Sequence, residues 1–161
     1  MVSMNRKAFT LIEVYIAISV IAIIAAVLAP FISTLADSWL FSRAERDVVF
    51  SARLAINRMV REIREIKNTA SIFDYGASSF TFVNIDDSTV NFSQSGSSLM
   101  RNSNELLNKL QVSGGLTFTY LDSAGAVTAV KADIRRVRIR LVVTSMGRTL
   151  TIESLARFRN T

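Results

Sequence analysis

From Val14 to Ala36 the chain carries no Asp, Glu, Lys or Arg, a stretch of about 23 residues. A helix rising about 1.5 Å per residue crosses a hydrocarbon layer about 30 Å thick over that length. Ile and Val are middling helix formers in water, but in lipid every backbone group must be satisfied internally, so a helix is required. One carboxylate, Glu13, stands at the very start of this stretch. An ionisable side chain there is costly without a partner, which marks it as functional. Arg6 and Lys7 come just before the apolar stretch and Asp37 just after it. The positive-inside bias then holds the first eight residues in the cytoplasm and sends everything after Asp37 to the far side. Trp39 is placed as an interfacial anchor. Ala17, Ser19, Ala22, Ala25, Ala26 and Ala29 allow close approach of neighbouring helices, and Pro30 removes one backbone donor and should kink the helix.

A secretory signal also joins a basic start to an apolar stretch, but that stretch is shorter and its small-residue cleavage site follows it. Here the small-residue junction precedes the stretch. An uncut signal anchor accounts for everything except the residues from Phe9 to Glu13. The segment Lys7-Ala8-Phe9-Thr10-Leu11-Ile12-Glu13 resembles the class III leader junction of type IV pilins and type II secretion pseudopilins. The resemblance implies that a membrane prepilin peptidase cuts between Ala8 and Phe9 and that the new amine of Phe9 is methylated. It further implies that Glu13 neutralises the N-terminal amine of a neighbouring subunit, and Pro30 falls where many members carry a helix-kinking proline. The chain departs from the family at Ala8, where Gly is usual. The implied division is a leader (1–8), a transmembrane assembly helix (9–36), an amphipathic extension (37–70) and an extracytoplasmic β domain (71–161). The implied partners are the peptidase and other filament subunits, the implied location is the inner membrane and then a filament, and no cofactor is called for.

Beyond the span, Val48, Val49, Ala52, Ile56, Met59, Val60, Ile63 and Ile66 recur at three- and four-residue steps and make one apolar stripe. Six arginines (Arg43, Arg46, Arg53, Arg58, Arg61 and Arg64) lie off it, mixed with Glu45, Asp47, Glu62 and Glu65. Arg58 with Glu62, and Arg61 with Glu65, are spaced for i,i+4 pairs. With no Pro or Gly between Phe31 and Tyr75, the pattern predicts one long, kinked helix from Phe9 to about Thr69.

After Asn68 short apolar-aromatic stretches alternate with turn residues. Strands are predicted at Phe80 to Val83, Val90 to Phe92, Leu116 to Leu121, Ala126 to Val130, Arg136 to Thr144 and Leu150 to Phe158. Asn104 to Leu110 reads as a short helix or an irregular connection. Turns fall at Asp86-Asp87-Ser88, Ser95-Gly96-Ser97, Asp122-Ser123-Ala124-Gly125 and Met146-Gly147-Arg148. The fold class is α+β, a long N-terminal helix packed on a C-terminal antiparallel β-sheet. That layout agrees with the lollipop fold of the pilin family. The arginine-rich helix followed by hairpins is similar to the J-type minor pseudopilin or W-type minor pilin.

The chemistry available is narrow. With neither His nor Cys in 161 residues, the commonest general base, the commonest metal ligand and all thiol chemistry are missing. No Gly-rich phosphate loop or recognisable nucleophile context is present, which points away from an enzyme. Net charge is +6. Arg136, Arg138 and Arg140 alternate on one face of a strand, a pattern that could track a phosphate backbone or meet an acidic partner. The same row serves equally as the solvated face of an exterior strand or as a guard against edge pairing. No aromatic platform accompanies it, which argues against nucleic acid. Asp86, Asp87 and Asp122 fit turns without any metal. Two other functions stay open on the residues alone, a single-pass anchored binding module and a DNA-uptake pilin.

Overall fold

A computed structural model describes residues 10–145 and 147–159. The junction residues Ala8 and Phe9 lie outside them. The chain divides into two units, 1–43 and 44–161. Helix α1 (Leu11–Arg64) contributes to both.

In the first unit α1 is apolar on every side, and its large side chains, such as Ile21, Ile24, Val27 and Phe31, are exposed. The helix is unbroken at Pro30. Hydroxyl side chains turn back on the helix: Ser19 Oγ donates to the Tyr15 carbonyl at 2.8 Å, and Ser33 Oγ and Thr34 Oγ1 both donate to the Pro30 carbonyl at 2.8 and 2.9 Å. Each such bond removes a polar hydrogen that an apolar surrounding would penalise.

In the second unit α1 lays its stripe on two antiparallel sheets. The first is a meander of five strands in sequence order, β1 (Ile72–Tyr75), β2 (Ser79–Val83), β3 (Thr89–Ser95), β4 (Ser98–Arg101) and β5 (Asn104–Leu107). The second holds β6 (Leu116–Leu121), β7 (Arg136–Ser145) and β8 (Arg148–Arg157), with β7 in the middle. Val48, Ala52, Ile56, Met59 and Ile63 of the helix form one buried cluster with Phe80, Phe82, Phe92 and Leu99 of the first sheet and Phe118, Val137, Ile139 and Leu141 of the second. Alternation along β7 produces this directly, because Val137, Ile139, Leu141 and Val143 are buried on one face. Ala55 joins the buried stripe, while Val49 and Val60 are only half-buried.

Several elements differ from the sequence reading, each for a local reason. The sheet is two sheets, joined by the segment 108–115. Its Gln111 N–H donates to the Val142 carbonyl, and the Gly115 carbonyl accepts from Val142 N–H. The Gln94 side chain fastens the joint, donating to the Gln111 carbonyl at 2.7 Å and accepting from Leu116 N–H at 2.8 Å. The helix ends at Arg64 rather than near Thr69, because Lys67 N–H donates to the Val83 carbonyl and Ile85 N–H to the Glu65 carbonyl. The first sheet captures the backbone that would have continued the helix. Asn104–Leu107 is strand β5, since Asn102 takes a left-handed φ of 54° and closes a two-residue turn after β4. Ala126 to Val130 forms no strand beyond one bridge between Leu121 and Val127. Val127 is 74% exposed, so its apolar residues have no layer to pack on. Strands β1 and β4 were not legible as strands in the sequence.

Candidate functional site

Glu13 sits in the first turn of α1, where its backbone N–H donates to the Thr10 carbonyl at 3.0 Å. A carboxylate at that place is favoured by the positive end of the helix dipole. The helix behind it is long and apolar enough to cross a membrane. Among the described residues no side chain bonds to Glu13, and Trp39 stands exposed beyond the apolar stretch.

The model of the prokaryotic N-terminal methylation motif matches residues 3–29. That segment includes Ala8, Phe9, Glu13 and most of the apolar stretch. The N-terminal segment is that of the type IV pilin and pseudopilin family. No curated protein and no solved structure matches the chain, so the C-terminal unit is read from its own residues. The helix on antiparallel sheets is the pilin-like α+β layout. The motif implies processing by a prepilin peptidase and assembly with other pilin subunits.

The structure separates the three arginines of β7 from one another in role. Arg140 forms an ion pair with Glu153 of β8 at 3.5 Å, and Arg136 Nη2 donates to the Ser123 carbonyl at 3.0 Å. Arg138 is exposed beside Leu155 of the neighbouring strand. Because β7 is the central strand, the row does not guard a sheet edge. An exposed pair such as Arg140–Glu153 contributes about 0–1 kcal/mol.

Of the acids in turns, Asp87 pairs with Lys67 Nζ, and Asp122 Oδ1 accepts from Ala126 N–H at 2.9 Å. Sequence reasoning missed two polar anchors of the second unit. Glu62 takes Arg58 Nε at 2.9 Å and also Arg101 Nε at 3.0 and 2.7 Å, tying α1 to β4. Only the first is a spacing that a sequence displays. Arg61 makes no ion pair with Glu65 among the described residues. Tyr120 is buried, donates to the Gly76 carbonyl at 2.8 Å, and meets Tyr75 edge-on. Burial pushes its phenol well above the ordinary value, and the Asp74 carboxylate adds to the shift.

Proposed function

We propose that the chain is a minor structural subunit of a type IV pilus or type II secretion pseudopilus. It divides by role into a leader (1–8), an assembly helix (9–36), an amphipathic extension (37–70) and an extracytoplasmic head (71–161). It is held in the inner membrane by its N-terminal helix, cut between Ala8 and Phe9, and methylated on Phe9. It is then drawn into a filament whose centre is a bundle of such helices. The observation that carries this reading is the methylation motif at residues 3–29 running into a helix with exposed apolar residues on all sides. Such a surface gains its stability from lipid before assembly and from neighbouring helices after it. Glu13 pairs with the Phe9 amine of an adjacent subunit, since two charges stranded in apolar surroundings become tolerable only together. Pro30 leaves the Ala26 carbonyl without its helical donor and lets the helix adjust when it is repacked.

The decisive experiment is the intact mass and N-terminal residue after co-expression with a prepilin peptidase. A mature chain beginning with methylated Phe9 is the expected result. A chain still beginning with Met1 sinks the reading and leaves a single-pass anchored module. In a reconstituted filament, Glu13→Gln should be cleaved normally yet fail to incorporate. Normal incorporation of that variant would remove Glu13 from its assembly role.

A further inference from the structure

A cleft of about 660 Å³ lies in the second unit between the last turns of α1 and the end of β8. Arg61 and Arg64 stand three residues apart on the helix and therefore share a face. Across the cleft, Arg157 and Arg159 flank Phe158 in sequence, and with Phe158 buried the alternation turns both arginines outward. A backbone bond joins the two walls, Arg159 N–H donating to the Arg64 carbonyl at 3.3 Å, while Phe158 N–H holds the end of β8 to the Arg135 carbonyl beside β7 at 3.1 Å. Among the described residues none of the four guanidinium groups has an ion-pair or side-chain hydrogen-bond partner. Among the described residues Glu65 is the one carboxylate lining the cleft.

We propose that this cleft docks a carboxylate-bearing segment of another protein subunit. Like charges gathered in one concavity repel each other, and an anion seated among them converts that repulsion into attraction. Guanidinium forks match carboxylates two bonds at a time. The half-buried Val60 and the buried Phe158 give the cleft apolar lining as well as charge, which suits a peptide with mixed side chains. Glu65 interrupts the positive field, so a uniform run of phosphates meets a repulsive point inside the cleft. The β7 arginines compare poorly with this cleft, because Arg136 and Arg140 are already engaged. The inference rests on the filament-subunit reading only for the identity of the protein that carries the carboxylates.

The test titrates the full chain in detergent with a fluorescent peptide of alternating Leu and Glu, with the matching Leu/Gln peptide as the neutral control. Binding of the acidic peptide is expected to weaken at least about tenfold in the double variant Arg61→Gln/Arg157→Gln and to fall steeply with salt. Each single variant should lie between the double variant and the parent, and Arg138→Gln should bind as the parent does. All of these side chains lack partners among the described residues, so unchanged circular dichroism is expected to accompany the loss. Absence of binding, equal binding by the double variant, or tighter binding to polyphosphate or phosphatidylglycerol vesicles would overturn the proposal. Leader cleavage is read separately by mass. A chain cut before Phe9 that ignores the peptide ends the cleft proposal alone, and an uncut chain that binds it supports the cleft while ending the filament reading.

Discussion

The two stretches of α1 put the same residue types to opposite uses. Ile23 is 65% exposed and Ile63 is 0% exposed, although both lie within one uninterrupted helix. Backbone propensity cannot separate them. What differs is the arrangement around the helix axis. Before Arg43 apolar residues occupy every direction, so no single sheet could cover them. After Ala44 they are confined to a stripe that faces two sheets, while arginines and acids take the remaining surface. Burying one such Ile side chain stabilises the fold by about 1.5–3 kcal/mol. The second stretch obtains that within its own chain, whereas the first can obtain it only from lipid or from other helices.

The contrast can be broken or sharpened by substitution, with stability measured by denaturant unfolding of the full chain in detergent. The largest effect is expected from Ile63→Ala, which removes a fully buried side chain and should cost about 2–5 kcal/mol. The matched change Ile23→Ala should leave the unfolding of the head where it was, and a comparable loss there would break the comparison. Next comes Arg101→Gln, which takes the β4 partner away from Glu62 and should cost about 1.5–3 kcal/mol. A value near zero would mean that Arg58 alone satisfies that carboxylate. Tyr120→Phe deletes one hydrogen bond and should cost about 1 kcal/mol near neutrality.

Tyr120 also has a pH signature. Its phenol is raised above the ordinary value of 10.0, so the folded state holds the proton more tightly than the unfolded chain does. Its contribution is full below pH 10.0 and is lost as pH rises from there toward the folded value. Tyr120→Phe should therefore lose less stability than the parent between neutral and strongly alkaline pH, and parallel alkaline curves would contradict this. The smallest effect belongs to Arg140→Gln, expected within about 0.5 kcal/mol because its pair with Glu153 is exposed on both sides.

The legible parts of the fold were those with a strong period. The stripe from Val48 to Ile66 and the alternation of Val137, Ile139, Leu141 and Val143 are visible without coordinates, and both end up in the core apart from the half-buried Val49 and Val60. Strand β4 is short and polar, with only Leu99 fully buried, and β1 shows one inward residue, Ile72; neither offers a period to read. Ala126 to Val130 misled in the other direction, being apolar enough for a strand but lacking a layer beneath it. The site was uneven in the same way. Glu13 and the proposed junction at Ala8 and Phe9 stand in a contiguous motif, whereas Arg61, Arg64, Arg157 and Arg159 are separated by more than half of the chain and meet only after folding.

The sequence by itself determined the apolar N-terminal helix, the methylation motif, the amphipathic stripe and the absence of His and Cys chemistry. Each of these is a local or periodic property, fixed by covalent order and side-chain type. The tertiary structure alone decided that the sheet is split in two, that Glu62 binds Arg101 across 39 positions of chain, and that one cleft collects four arginines. Such pairings depend on which distant segments the burial of a common core draws together, and no local pattern encodes that.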